Sequence, residues 1–278
     1  MVVELLQYAF MQRALLAGLF VALSCSLIGV FLVLRRLSLI GDGLAHIAFG
    51  GLAIGVVLNI QPLITALAAA ILGALGINYV RTKRIAADAA IAVTFSLGLA
   101  IGVVLISASK GFSVDIFSFL FGSILAVSSQ DVILVAILGA VALITVLVLR
   151  KELLYLTFDE ECAKAAGLPV RFLDTLLLIL TAITVIVAIR VVGVLLVSSL
   201  IVLPTVTARQ FCKSFNSLLA GSAIIGLLSV FLGLIAAYYL DLAAGGAIVL
   251  VAGILFILAL AARSLLRLIS SEKAQPQP

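Results

Sequence analysis

Apolar runs of about 18 or more residues recur from one end of this chain to the other, each long enough to cross a hydrocarbon core of roughly 30 Å. That recurrence dictates an all-α, polytopic helical membrane protein rather than a soluble domain with an anchor. Composition agrees: 65% of residues are hydrophobic and 10% charged, with mean hydropathy +1.43, where soluble domains run near 45–50% apolar and about a quarter charged. No polar stretch between the runs is long enough for a catalytic or nucleotide-binding domain, and no phosphate-cradling Gly-Lys-Ser/Thr loop occurs. Energy for any transport must then come from a partner or an ion gradient.

The net charge of +5 and pI near 9.3 do not point to nucleic acid, because the basic residues fall in short connections between spans, where they set topology. Cys25, Cys162 and Cys212 have neither metal-ligand nor disulfide spacing. The first apolar run follows Glu4 and continues to Arg35-Arg36 without a small-residue cleavage site, so no cleavable signal peptide is expected.

The pattern predicts nine spans: Ala9–Leu34, Gly41–Leu58, Pro62–Val80, Ala89–Ile106, Val132–Leu149, Phe172–Ile189, Val191–Ala208, Leu218–Leu240 and Ala243–Ala262. Ile116–Val127 is apolar but too short to cross and is expected to be a re-entrant helix. As one helix, Phe172–Ala208 would be roughly 55 Å long, so a tight hairpin near Arg190 and Gly193 is expected, with an eight-span arrangement as the competitor. With the N-terminus outside and the C-terminus cytoplasmic, the cytoplasmic ends receive Arg35, Arg36, Arg81, Lys83, Arg84, Arg150, Lys151, Lys164, Arg171, Arg209, Lys213, Arg263, Arg267 and Lys273, leaving Arg13, Lys110 and Arg190 outside. One permease-like domain over 1–269 and a disordered polar tail over 270–278 are expected. Stripes of small residues, Gly18-Ala22-Ser26, Gly51-Gly55 and Gly98-Gly102, have the spacing of close helix contacts in a tight bundle or at a dimer seam.

Two groups of residues carry chemistry. His46 is the only histidine, and it follows Asp42 by four positions in Gly41-Asp42-Gly43-Leu44-Ala45-His46. On a helix, both side chains share one face, and ionisable groups at membrane depth mark ion or substrate paths. A carboxylate with an imidazole suits Zn²⁺, Mn²⁺ or Fe²⁺. The alternative makes Asp42 the N-cap of the second span and His46 a buried, carbonyl-bonded side chain. The second group is Leu156–Val170, read as a complete short cytoplasmic helix. Thr157 and Glu160 form a capping box, Asp159, Glu160 and Glu161 fill its first turn, Gly167 closes it and Pro169 lies beyond. Isolated helices this short are marginal in water, which suggests an element held by a partner.

On these residues the chain resembles the permease family of ABC importers for zinc, manganese and iron. The resemblance spans nearly the full length and is carried by Gly41–His46, Leu120-Phe121-Gly122-Ser123-Ile124-Leu125, Thr157–Pro169, and Val192–Val197 leading into Leu203-Pro204. It implies a homodimer in a prokaryotic plasma membrane, a separate cytoplasmic ATPase that binds the ATP, an extracytoplasmic metal-binding protein and no tightly bound cofactor. Zinc is placed ahead of manganese and iron as the cargo. Asp42 and His46 match the family's metal path. Phe158, Asp159, Glu160, Glu161, Ala163, Lys164 and Gly167 match its coupling helix, and Gly18, Gly51, Gly55, Gly98 and Gly102 are the expected packing glycines. Phe49-Gly50-Gly51 and Ala243 stand where many relatives carry a proline, leaving Asp241 without an assigned role. A permease for a chelated metal and a secondary metal transporter are the alternatives, although no internal repeat of the kind secondary transporters show is evident.

Overall fold

The computed structural model describes residues 7–83, 86–108 and 116–272, and no strand occurs among them. Its helices are α1 (Ala9–Leu34), α2 (Ile40–Leu58), α3 (Pro62–Thr82), α4 (Ala87–Ala108), α5 (Ile116–Phe121), α6 (Ser129–Val148), α7 (Arg150–Phe158), α8 (Glu160–Ala165), α9 (Val170–Val192), α10 (Val197–Ala208), α11 (Phe215–Tyr239) and α12 (Ala244–Glu272). Eight of them are long and apolar enough to cross a membrane: α1, α2, α3, α4, α6, α9, α11 and α12.

The ninth expected span is altered. Val191 and Val192 belong to α9, and the remainder is the 12-residue α10, about 18 Å long and too short to cross alone. The chain breaks at Gly193, whose φ of +86° suits glycine. A Cβ there would also strike the amide of Gly122 at 2.5 Å. Val194 N–H donates to Phe119 O at 2.9 Å and Leu195 N–H to Leu120 O at 3.2 Å, so α5 is stitched to the break. Arg190 is therefore not a hairpin residue but part of the last turn of α9. The re-entrant helix is likewise shorter than Ile116–Val127: α5 stops at Phe121 because Gly122 turns to φ +73°. Of the expected tail, residues 270–272 are helical in α12. Arg84, Lys110, Lys273 and the tail from 273 onward lie outside the described residues.

Helices α2 and α9 form the centre, each 72% buried over its most apolar window, whereas only 22% of the α4 window is buried. The expected packing glycines all work within the chain. A Cβ on Gly18 would meet Val230 of α11 at 2.8 Å, one on Gly51 would meet Ala69 of α3 at 2.6 Å, and one on Gly102 would meet Phe49 of α2 at 2.5 Å. Gly55 faces Pro62 and Thr65 at the α2–α3 turn, and Gly98 faces the α2 backbone. These stripes are intramolecular helix crossings, not a seam between copies. Ser26 adds a polar contact to the same α1–α11 seam, its carbonyl accepting from Ser222 Oγ at 3.0 Å.

Ion pairs pin both ends of the bundle. At the basic end, Asp174 of α9 accepts from Arg35 at 2.5 Å and Arg81 at 3.1 Å, tying the ends of α1 and α3 to the start of α9. At the opposite end Arg190 Nε lies 3.3 Å from Asp131 Oδ1, and its guanidinium sits 4.3 Å from the centre of the Phe119 ring. Buried charges of this kind are costly unless paired, and here both ends use pairing to fix helix positions.

Candidate functional site

The chain reaches the site through a tight reversal. α1 ends with Arg36 at φ +58°, Arg36 N–H donating to Val33 O and Leu37 N–H to Leu32 O at 2.8 Å, the bond pattern that closes a helix with a left-handed residue. Leu37 and Ile40 are buried, so the chain turns back into the bundle before α2 begins. Gly41 then packs against Ser198 and Ile201 of α10. Helix α2 thus starts inside the protein.

This start sets the depth of His46. Although His46 is the seventh residue of α2, its carbonyl would lie 2.7 Å from a Cβ on Gly98, near the midpoint of α4. Ile47 would lie 2.6 Å from a Cβ on Gly73, near the midpoint of α3. The imidazole is therefore level with the middle of its two neighbours, not with their ends.

His46 is 6% exposed and its ring packs against Phe95, centroids 4.0 Å apart. Its Nδ1 is 2.9 Å from the backbone oxygen of Asp42. A carbonyl oxygen only accepts, so Nδ1 carries the proton and Nε2 keeps its lone pair. A backbone partner on one ring nitrogen is the usual way a metal-binding histidine is oriented for the other.

Asp42 lies in the first turn of α2 and does not cap it: the N-cap is Leu39, with no side-chain cap bond. Its carboxylate is partly exposed. The capping alternative for Asp42 is thus not what the structure shows, while the carbonyl-bonded state expected for His46 is present and coexists with a free Nε2. No group of three or more His, Cys, Asp or Glu side chains gathers among the described residues. One protomer therefore offers a carboxylate and an imidazole on one helical face, an incomplete ligand set.

The second group differs from expectation in its cap. α7 runs from Arg150 to Phe158, and the Thr157 hydroxyl donates back to Leu153 O at 2.6 Å. Asp159 takes the cap instead, its Oδ1 accepting from the amides of Glu161 and Cys162 at 3.0 Å each. The Cys162 amide and thiol, joined by the Glu161 amide, hold the Asp159 carboxyl below its ordinary range, and the Asp159 carboxylate pushes the Cys162 thiol up. Lys164 lies 3.0 Å from Glu161 and 3.1 Å from Glu160, which together raise its ammonium above the usual lysine value. At the other end Gly167 adopts φ +77° and Leu168 N–H donates to Ala163 O at 3.1 Å, closing α8. Ala163 is buried, while Tyr155, Phe158 and Phe172 around it are 59%, 69% and 61% exposed.

Sequence reading missed Asp131, Arg190 as its partner, and Asp174. Ser128-x-x-Asp131 is a capping box visible in the sequence, and both of its bonds form. The Arg35–Asp174–Arg81 cluster joins residues far apart in the chain and left no local trace.

Residues 7–263 match the ABC 3 transport family. The chain is 37% identical over 256 residues to a manganese transport system membrane protein, MntC, of Listeria innocua, covering 92% of this chain and 91% of that protein. It is 34% identical over 253 residues to the manganese import system permease protein ScaB of Streptococcus parasanguinis, covering 91% and 90%. Among solved structures it is similar to PsaBC from Streptococcus pneumoniae in complex with a Fab, with a TM-score of 0.84, 34% identity, and coverage of 93% of this chain and 95% of that one.

Proposed function

The chain belongs to the ABC 3 transport family as a membrane-embedded translocation subunit, and from that premise we propose that it carries divalent metal ions inward, manganese ahead of zinc. Family membership removes the secondary-transporter alternative. The zinc-first expectation gives way because the relatives that name an ion name manganese. An imidazole nitrogen with a carboxylate oxygen accommodates either metal, so the choice of ion rests on the relatives.

The observation that carries the reading is the pair on α2. His46 Nε2 is left with its lone pair by the Nδ1 bond, and Asp42 is on the same face at a depth matching the middle of α3 and α4. Two ligands hold an ion weakly, which suits a site that must release it. Two copies related by a two-fold axis would pair two such faces and complete the coordination, so the working unit is a homodimer. A directly ligated bare ion fits this arrangement better than a chelate, whose own ligands would leave Asp42 and His46 unused.

The drive comes from a separate ATPase docked on α8. Exposed Tyr155, Phe158 and Phe172 surround that capped helix, an apolar patch of the kind that marks a protein contact. Movement of α8 passes directly into α9 through Gly167–Pro169, and from Asp174 to Arg35 and Arg81 at the ends of α1 and α3. The basic end faces the cytoplasm, which places the N-terminus outside, the C-terminus inside, and an extracytoplasmic metal-binding protein at the Asp131–Arg190 end.

The test is uptake of radiolabelled Mn²⁺ and Zn²⁺ by proteoliposomes holding this chain with its ATPase and binding protein. ATP-dependent Mn²⁺ uptake that His46→Ala abolishes, in a complex that still assembles, is the expected result. Undiminished uptake by that variant refutes the role of His46.

A further inference from the structure

Helices α3 and α4 diverge on the outer surface of the bundle and leave a groove of about 470 Å³ with α2 at its floor. Ile47, Gly73 and Gly98 line the floor, and Leu72, Val93 and Leu97 form exposed walls. The one hydroxyl in the lining, Thr94 Oγ1, is turned back to Ala90 O at 2.7 Å, so the groove offers hydrocarbon and no polar hold. Its lining on α3 runs from Ala69 to Val80, about 16 Å along the helix, which equals one leaflet of a hydrocarbon core of roughly 30 Å. At the mouth, Lys83 Nζ lies 5.3 Å from the centre of the Tyr79 ring, an aromatic and a cation at the level where headgroups sit. Arg81 beside them is already bonded to Asp174.

We propose that this groove binds one acyl chain of a phospholipid from the leaflet at the basic end, with the anionic headgroup at Lys83. Length, chemistry and charge each match that occupant: a leaflet-deep apolar slot, closed to polar ligands, with a cation at its headgroup end. The seated chain packs against Ile47, next to His46, which ties lipid occupancy to the helix that bears the carboxylate and the imidazole.

Gly76 offers a clean perturbation, because it lines the groove and a Cβ on it would meet no atom within 4 Å. Native mass spectrometry of the full-length protein, purified in detergent and given phosphatidylglycerol or phosphatidylcholine, reads the result. Wild type should retain one lipid per protomer and favour the anionic lipid by about fivefold, the weight of one interfacial lysine. Gly76→Phe should lose that lipid with thermal stability and self-association unchanged. Lys83→Gln should keep binding and lose the preference. Lipid retention by Gly76→Phe equal to wild type, or equal binding of the two lipids by wild type, overturns the proposal. Loss of self-association in Gly76→Phe overturns it too, since the groove is then a contact between copies of the chain.

Discussion

Replacing Gly98 with Ala tests the crossing that holds His46 in place. The new Cβ would lie 2.6 Å from Ile47 N and 2.7 Å from both the carbonyl carbon and oxygen of His46. Unstrained contacts are about 3.5–4.0 Å, so α4 must retreat by about 1 Å. Nothing at the contact can rotate aside, because all three atoms are α2 backbone. Gly50 approaches from the other side of the same crossing, its own Cβ position 2.9 Å from Gly98 O. Forced overpacking of this kind costs about 1–3 kcal/mol.

The control is Gly76→Ala on α3, where a Cβ enters open space. Both variants gain about 1 kcal/mol of helix propensity, and only Gly98→Ala incurs the clash. Gly98→Ala should therefore be less stable than Gly76→Ala by about 2 kcal/mol, which corresponds to about 4–8 °C in Tm by the scaling of domains near this size. Thermal unfolding of both variants in one detergent measures it. Displacing α4 also carries Phe95 away from the imidazole it covers, so Mn²⁺ uptake by Gly98→Ala should fall while that of Gly76→Ala holds. A Gly98→Ala protein as stable as Gly76→Ala refutes the close α2–α4 crossing and, with it, the depth assigned to His46.

Two further outcomes are expected. Asp131→Ala removes both a capping box and the partner of Arg190, whose side chain is 19% exposed; it should cost about 3 kcal/mol, the low end for stranding a buried charge, because the Phe119 ring stays under the guanidinium. Adding Arg190→Met should restore part of that stability, and a double-mutant cycle on detergent-purified protein reads the coupling; additive losses would show the pair is not coupled. At α8, the Asp159 carboxyl is held below its ordinary range by the Cys162 amide first of all. A carboxyl depressed on folding stabilises above its unfolded value and loses that contribution as pH falls through the folded one. Hydrogen-exchange protection of the Glu161 and Cys162 amides should thus persist through neutral pH and fade only below about pH 4, once intrinsic exchange rates are corrected for. Asp159→Ala should lose that protection at every pH, and an identical profile for the variant would refute the cap.

Most of the helical plan was legible because it rests on local composition. Spans begin and end where apolar runs do, and the positions of seven long helices needed only small boundary changes. The Val191–Ala208 span was misjudged because hydropathy cannot see that Gly193 must leave room for the Leu120–Gly122 backbone, a contact made across the chain. Thr157 and Asp159 were equally good caps on paper. Asp159 takes the role because α7 extends to Phe158 and the Thr157 hydroxyl is bonded inside it. The small-residue stripes were read for what they permit, close approach, but spacing does not name the neighbour, and each neighbour proved to be another helix of the same chain.

The site shows the same division. The four-residue spacing of Asp42 and His46 fixes their common face through helix geometry alone. Their depth follows from events outside the motif: Arg36 turning left-handed at the end of α1, burial of Leu37 and Ile40 as the chain re-enters, and the Gly98 and Gly73 crossings that receive His46 and Ile47. Counting residues from Arg36 puts the pair near the basic end; following the backbone puts it midway. A histidine early in a helix can sit at the middle of a membrane protein when the helix itself begins inside, and that internal start lets one short motif serve as a midplane ion site without any break in α2.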